Sequence, residues 1–84
     1  MKLIVLTNEE GPETRAAWDL ADNVSSEGYE VEKLDWESDE AASLSSLHDI
    51  YSTPAFLLVR DDGSQLDMWQ GEHVPLAADI KHLM

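Results

Sequence analysis

Five consecutive apolar residues, Ala55 to Val59, follow directly on a Thr53-Pro54 step and run through Arg60 into Asp61-Asp62-Gly63. No other stretch restricts the fold as much. A short run that is apolar at every position belongs in a strand buried on both faces, with a layer above and a layer below it. Proline has no N–H to give a sheet, so it marks the mouth of such a strand and not its interior. The Asp-Asp-Gly triplet supplies a hairpin turn into a further strand.

The remaining elements fall into place around that strand. Lys2 to Thr7 (KLIVLT) is a second buried run, broken by Asn8 to Pro12 (NEEGP). Pro12 suits the first turn of a helix. From Glu13 to Ser26, Ala17, Leu20, Ala21 and Val24 form one apolar stripe, flanked by Trp18, and Gly28 is the stop signal. Tyr29 to Trp36 (YEVEKLDW) reads as a strand. Ser38 is placed to cap a helix from Asp39 to about His48, with Ala41, Leu44 and Leu47 inward and Ile50 beyond. The third strand is Ala55 to Arg60 and the fourth is Ser64 to Gln70, with Leu66 and Met68 on one face and Asp67 and Trp69 on the other. Pro75 is placed to open a last helix on the stripe Leu76, Ala77, Ile80 and Leu83. The order is βαβαββα in a single domain over residues 1–84. A helical crossover makes the first two strands parallel, and the hairpin adds an antiparallel pair. The expected fold is α/β: a four-stranded mixed sheet with helices on both faces.

Charge narrows the partners. Eighteen acidic residues against five basic ones give a net charge of −13. Such a field disfavours nucleic-acid phosphates and anionic membrane surfaces and favours neutral or basic protein surfaces. Adaptation to a salty cytoplasm would give the same composition. The N-terminal apolar run, Leu3 to Leu6, is too short for a signal peptide, and no run is long enough to span a membrane; the expected location is cytoplasmic. There is no cysteine, which removes disulfides, thiolate metal sites and thiol catalysis.

The order of elements, the run IYSTPAFLLV closed by Asp-Asp-Gly, and Gly71 after the hairpin resemble the thioredoxin superfamily in its minimal, glutaredoxin-sized form. The resemblance covers nearly the whole chain. It implies that Pro54 is cis and that Thr53 offers its N–H and C=O to an extended peptide, with Gly71 lining the same groove. Trp69 is placed to be an aromatic anchor beside that groove, or else to pack beneath a helix. The family's Cys-x-x-Cys belongs between the first strand and the first helix, where this chain has Asn8, Glu9, Glu10, Gly11, Pro12 and Glu13. Thiol oxidoreductase activity is therefore excluded. Glutathione, an anionic tripeptide, is disfavoured by the same acidic loop.

No cofactor and no metal site is expected. His48, His73 and His82 lack ligand spacing, and the carboxylates of the 8–14 loop read as helix-start electrostatics. The leading expectation is a redox-inactive module that binds a protein or peptide in the groove of Thr53, Pro54, Gly71 and Trp69, with no catalytic residue. Two alternatives are an enzyme using the acidic loop at residues 8–14 on a small molecule or metal, and a regulator that switches oligomeric state. The latter resembles the KaiB family of cyanobacterial clock proteins, which is thioredoxin-like, lacks the redox motif and carries a Thr-Pro step.

Overall fold

A computed structural model describes residues 1–8, 14–71 and 74–84. The elements are β1 (Lys2–Thr7), α1 (Thr14–Ser26), β2 (Glu30–Asp35), α2 (Asp39–His48), β3 (Ala55–Val59), β4 (Gln65–Gln70) and α3 (Ala77–Leu83). The sheet order is β2-β1-β3-β4. β1 runs parallel to β2 and antiparallel to β3, and β3 runs antiparallel to β4.

Sequence pattern decides which strands are central. β1 and β3 are the two apolar runs, and both lie inside the sheet with helices over each face. Side chains alternate across a strand, so the runs feed two cores. Leu3, Val5, Phe56 and Leu58 pack with Ala17, Leu20, Ala21 and Val24 of α1 and Ile80 of α3. Ile4, Leu6, Ala55, Leu57 and Val59 pack with Ala41 and Ile50 on the α2 side. The half-polar strands β2 and β4 take the edges, where Glu30, Asp35 and Gln65 reach solvent and discourage pairing with other chains.

Helix ends follow local chemistry. Ser38 is extended, and its Oγ accepts from the Ala41 N–H at 3.1 Å, as the capping pattern requires. Asp49 closes α2 in the left-handed region with φ 57°, a conformation that Asp tolerates. The Ile50 N–H then donates to the Ser45 carbonyl at 2.9 Å and the Ile50 side chain turns into the core.

Several expectations need correction. Leu47 is 74% exposed: six residues on from the buried Ala41, it lies well round the helix from the buried side of α2, and Ile50 after the helix fills the core there. Leu66 packs on the α1/α3 side together with Trp69, while Met68 packs on the α2 side. A β-bulge is the cause: Leu58 pairs with Asp67 but Val59 pairs with Gln65, so Leu66 is an extra residue and the alternation breaks there. α3 starts at Ala77 rather than at Pro75, after an extended Leu76 that is itself 70% exposed. Proline fixes φ but not ψ, and its φ suits extended backbone as well as helix. Leu83 is also exposed, so the stripe rests on the buried Ile80, with Ala77 partly buried against the same core. Trp18 is more exposed than its place beside the α1 stripe suggests, at 39%.

Lys2 on β1 pairs with Glu32 of β2 at 2.7 Å. That hydrogen bond and the charge of Glu32 raise the Lys2 pKa above its ordinary value. A raised ammonium pKa stabilises the fold below the unfolded value, and the benefit disappears as pH rises through the folded value. Glu32→Gln is expected to cost about 0.2–1 kcal/mol at neutral pH, since the pair is partly solvated. In urea titrations the difference should vanish above the lysine range. Self-repulsion among the acidic residues acts in the opposite sense to such pairs and is screened by salt. Raising NaCl from low to molar concentration should therefore raise Tm in thermal melts. A lower Tm would show that the surface ion pairs outweigh the repulsion.

Candidate functional site

The pairing of Leu6 with Ala55 sets the exit of β1 beside the entrance of β3. This brings Asn8 and the Thr53–Pro54 step to the same end of the sheet. The Thr53–Pro54 peptide bond is cis. Pro54 is buried, while Thr53 is partly exposed. Beyond the last ladder pair, Ala55 and Gln70, the Gly71 N–H donates to the Pro54 carbonyl at 3.1 Å. Gly71 has φ +84°, and a Cβ there would lie 3.3 Å from Ser52 Oγ. The chain therefore approaches itself closely at this point, in a conformation that favours glycine. Among the described residues, neither the N–H nor the C=O of Thr53 has a hydrogen-bond partner.

Gln70 builds this site, and nothing in the sequence singles it out. Its Oε1 accepts from the Tyr51 N–H at 2.7 Å and the Ser52 N–H at 3.2 Å. Its Nε2 donates to the Asp49 carbonyl at 3.2 Å. One amide thus clasps the segment that leads from α2 to Thr53. Gln70→Leu is expected to cost about 1–3 kcal/mol, because two main-chain donors lose their acceptor. Hydrogen exchange at Tyr51 and Ser52 should speed up while β1 keeps its protection.

Trp69 is half-buried and packs on the core covered by α1 and α3. Tyr51 is the more prominent aromatic, at 78% exposure. It borders a hollow of about 480 Å³ with Trp36, Ile50 and Ser45. Asn8 is exposed, and its carbonyl accepts a hydrogen bond from the buried hydroxyl of Thr14, so the two flanks of the acidic loop are tied together. Thr14 continues the α1 stripe three residues before Ala17, a spacing that could have revealed it. Glu9, Glu10, Gly11, Pro12 and Glu13 lie outside the described residues, as do Glu72 and His73. Among the described residues no cluster of acidic or histidine side chains is arranged to hold a metal ion. No described helix is long and apolar enough to cross a membrane.

Chemically, the site offers main-chain donors and acceptors, an exposed aromatic ring and acidic neighbours. It offers no thiol, since the chain has none. No family model matches the sequence, and no curated protein does. Solved structures do match. One is thioredoxin 1 from Thermosipho africanus TCF52B, with TM-score 0.75 and 11% identity over 99% of this chain and 89% of that one. Another is a malarial protein, with TM-score 0.71 and 16% identity over 98% of this chain and 90% of that one. With the mixed sheet in the order βαβαββα and the Thr53–Pro54 step at the mouth of a central strand, the chain has the thioredoxin-like fold, in a form without cysteine.

Proposed function

We propose that this chain is a redox-inactive, thioredoxin-like binding module that takes an extended protein segment at Thr53. The observation that carries this reading is the main chain of Thr53, which has no partner among the described residues and is partly exposed beside a buried proline. A donor and an acceptor held in this way suit pairing with an added strand. The clasp by Gln70 and the close approach at Gly71 support it, since both fix the segment before binding and so reduce the ordering cost. Tyr51 is the nearest exposed anchor for a partner side chain. Net charge favours a segment that is neutral or basic.

The test is selection of displayed peptides on the wild-type chain, followed by binding to Thr53→Arg. Selected peptides should be neutral or basic, and should lose at least about tenfold in affinity on the variant, as for a lost charge-free contact plus a clash. Peptides that bind the variant as tightly as the wild type would contradict the reading.

A further inference from the structure

A second concavity lies at the opposite end of the sheet, where β1 begins and β3 ends. It measures about 420 Å³ and forms an open cleft between the C-terminal half of α2 and the sheet. Its apolar surface comes from Ile4, Leu44, Leu47 and Val59. That volume lies within the range of about 300–1,000 Å³ in which small-molecule sites fall. Leu47, which the α2 stripe leaves 74% exposed, forms one wall.

The polar rim is mixed in charge, with Lys2 and Arg60 set among Glu30 and Asp61, where the chain as a whole is strongly acidic. Lys2 and Arg60 both line it, and the N-terminal ammonium sits close by on Asp61, a rim residue, at 2.5 Å. Lys2 is committed to Glu32 at 2.7 Å. Arg60 makes no direct ion pair among the described residues, but its charge acts on Asp62, and the two share the Ser64 hydroxyl, which donates to Asp62 Oδ1 at 2.6 Å. Arg60 Nη1 donates to the Gln65 carbonyl at 3.1 Å and to Ser64 Oγ at 3.4 Å. Among the described residues no carboxylate lies within ion-pair distance of it, in a chain where acids outnumber bases 18 to 5. A guanidinium carries five N–H donors in a planar fork that matches a carboxylate. The remaining donors of Arg60 thus touch no carboxylate directly among the described residues.

We propose that this cleft binds a small amphipathic monocarboxylate, with the carboxylate on Arg60 and the apolar tail between Ile4, Val59, Leu44 and Leu47. The chemistry excludes the obvious competitors. Glu30 also lines the rim, and the overall field is strongly negative, so polyanions such as nucleotides are repelled where a single charge is tolerated. A neutral apolar molecule would fill the cleft but leave Arg60 unused. The site is independent of the Thr53 groove, which lies at the other end of β3.

The experiment is an amide-resolved NMR titration of the full chain with octanoate, and separately with 1-octanol. Octanoate should give saturable shifts at Ile4, Leu44, Leu47, Val59 and Arg60, and 1-octanol should bind at least about tenfold more weakly, as expected for loss of a charge-assisted hydrogen bond. Arg60→Gln should weaken octanoate to the level of the alcohol. Leu47→Asp, at an exposed position, should abolish shifts in the cleft while leaving the spectrum of the sheet unchanged. Equal binding of the alcohol, undiminished binding to Arg60→Gln, shifts confined to Thr53 and Gly71, or no saturable shift would each overturn the proposal.

Discussion

Phe56→Ala is expected to cost about 3–5 kcal/mol, enough to leave much of the chain unfolded at 37 °C. Phe56 is fully buried in β3, between Val5 of β1 and Trp69 of β4 in the pairing register. It is also among the largest side chains in the core that α1 and α3 cover. Truncation leaves a cavity that the rigid centre of the sheet has little freedom to close. Small domains hold only about 5–15 kcal/mol in total, and this one has a modest core. Urea denaturation gives the measurement, with Leu47→Ala as the comparison. The exposed Leu47 should cost no more than about 0.5 kcal/mol. Similar losses in the two variants would mean that β3 does not hold the centre of the sheet.

Gly71→Val is expected to cost about 2–3 kcal/mol, with two separable causes. The first is conformational: φ +84° is poorly tolerated by a β-branched residue. The second is crowding against Ser52 Oγ, 3.3 Å from the position of a Cβ. Gly63 separates the two, because its φ of +88° is similar but nothing lies within 4 Å of its would-be Cβ. Alanine at Gly63 should therefore show the conformational cost alone, and alanine at Gly71 should cost more. Equal effects would mean that Ser52 yields freely and that the segment before Thr53 is not held closely. Loss of the Gly71 bond to Pro54 should also weaken peptide binding, whereas alanine at Gly63 should leave it unchanged.

Much of this architecture was legible because it rests on patterns that survive any context. The two runs LIVL and AFLLV can be buried only as inner strands, and both are. The α1 stripe and the Ser38 cap are local signals, and each appears where its spacing puts it. What escaped depends on pairing between segments. The bulge at Leu66 comes from how the turn after Arg60 sets the register against β3, where the Arg60 N–H donates to the Ser64 carbonyl at 2.9 Å. A period-two pattern carries no information about that. Leu47 sits at the margin of its helical stripe, and a left-handed residue after the helix, Asp49, turns the chain so that Ile50 fills the core instead.

The site divides along the same line. Thr53, Pro54 and Gly71 stand out because a proline before a buried strand and a glycine after a hairpin are conspicuous in sequence. Gln70 does not stand out, because its role exists only once β4 lies beside the 49–52 segment. That Arg60 makes no direct ion pair among the described residues is likewise invisible in composition, which would predict the reverse for any cation in so acidic a chain.

The most direct measurement is hydrogen exchange at the Thr53 amide, with and without a peptide selected on the wild-type chain. If Thr53 pairs with the bound segment, its N–H gains an acceptor and its exchange should slow at least about tenfold in the complex. The amides of Tyr51 and Ser52, already held by Gln70, should change little. A bound complex in which the Thr53 amide exchanges as fast as in the free chain would contradict the binding mode, and with it the central functional claim.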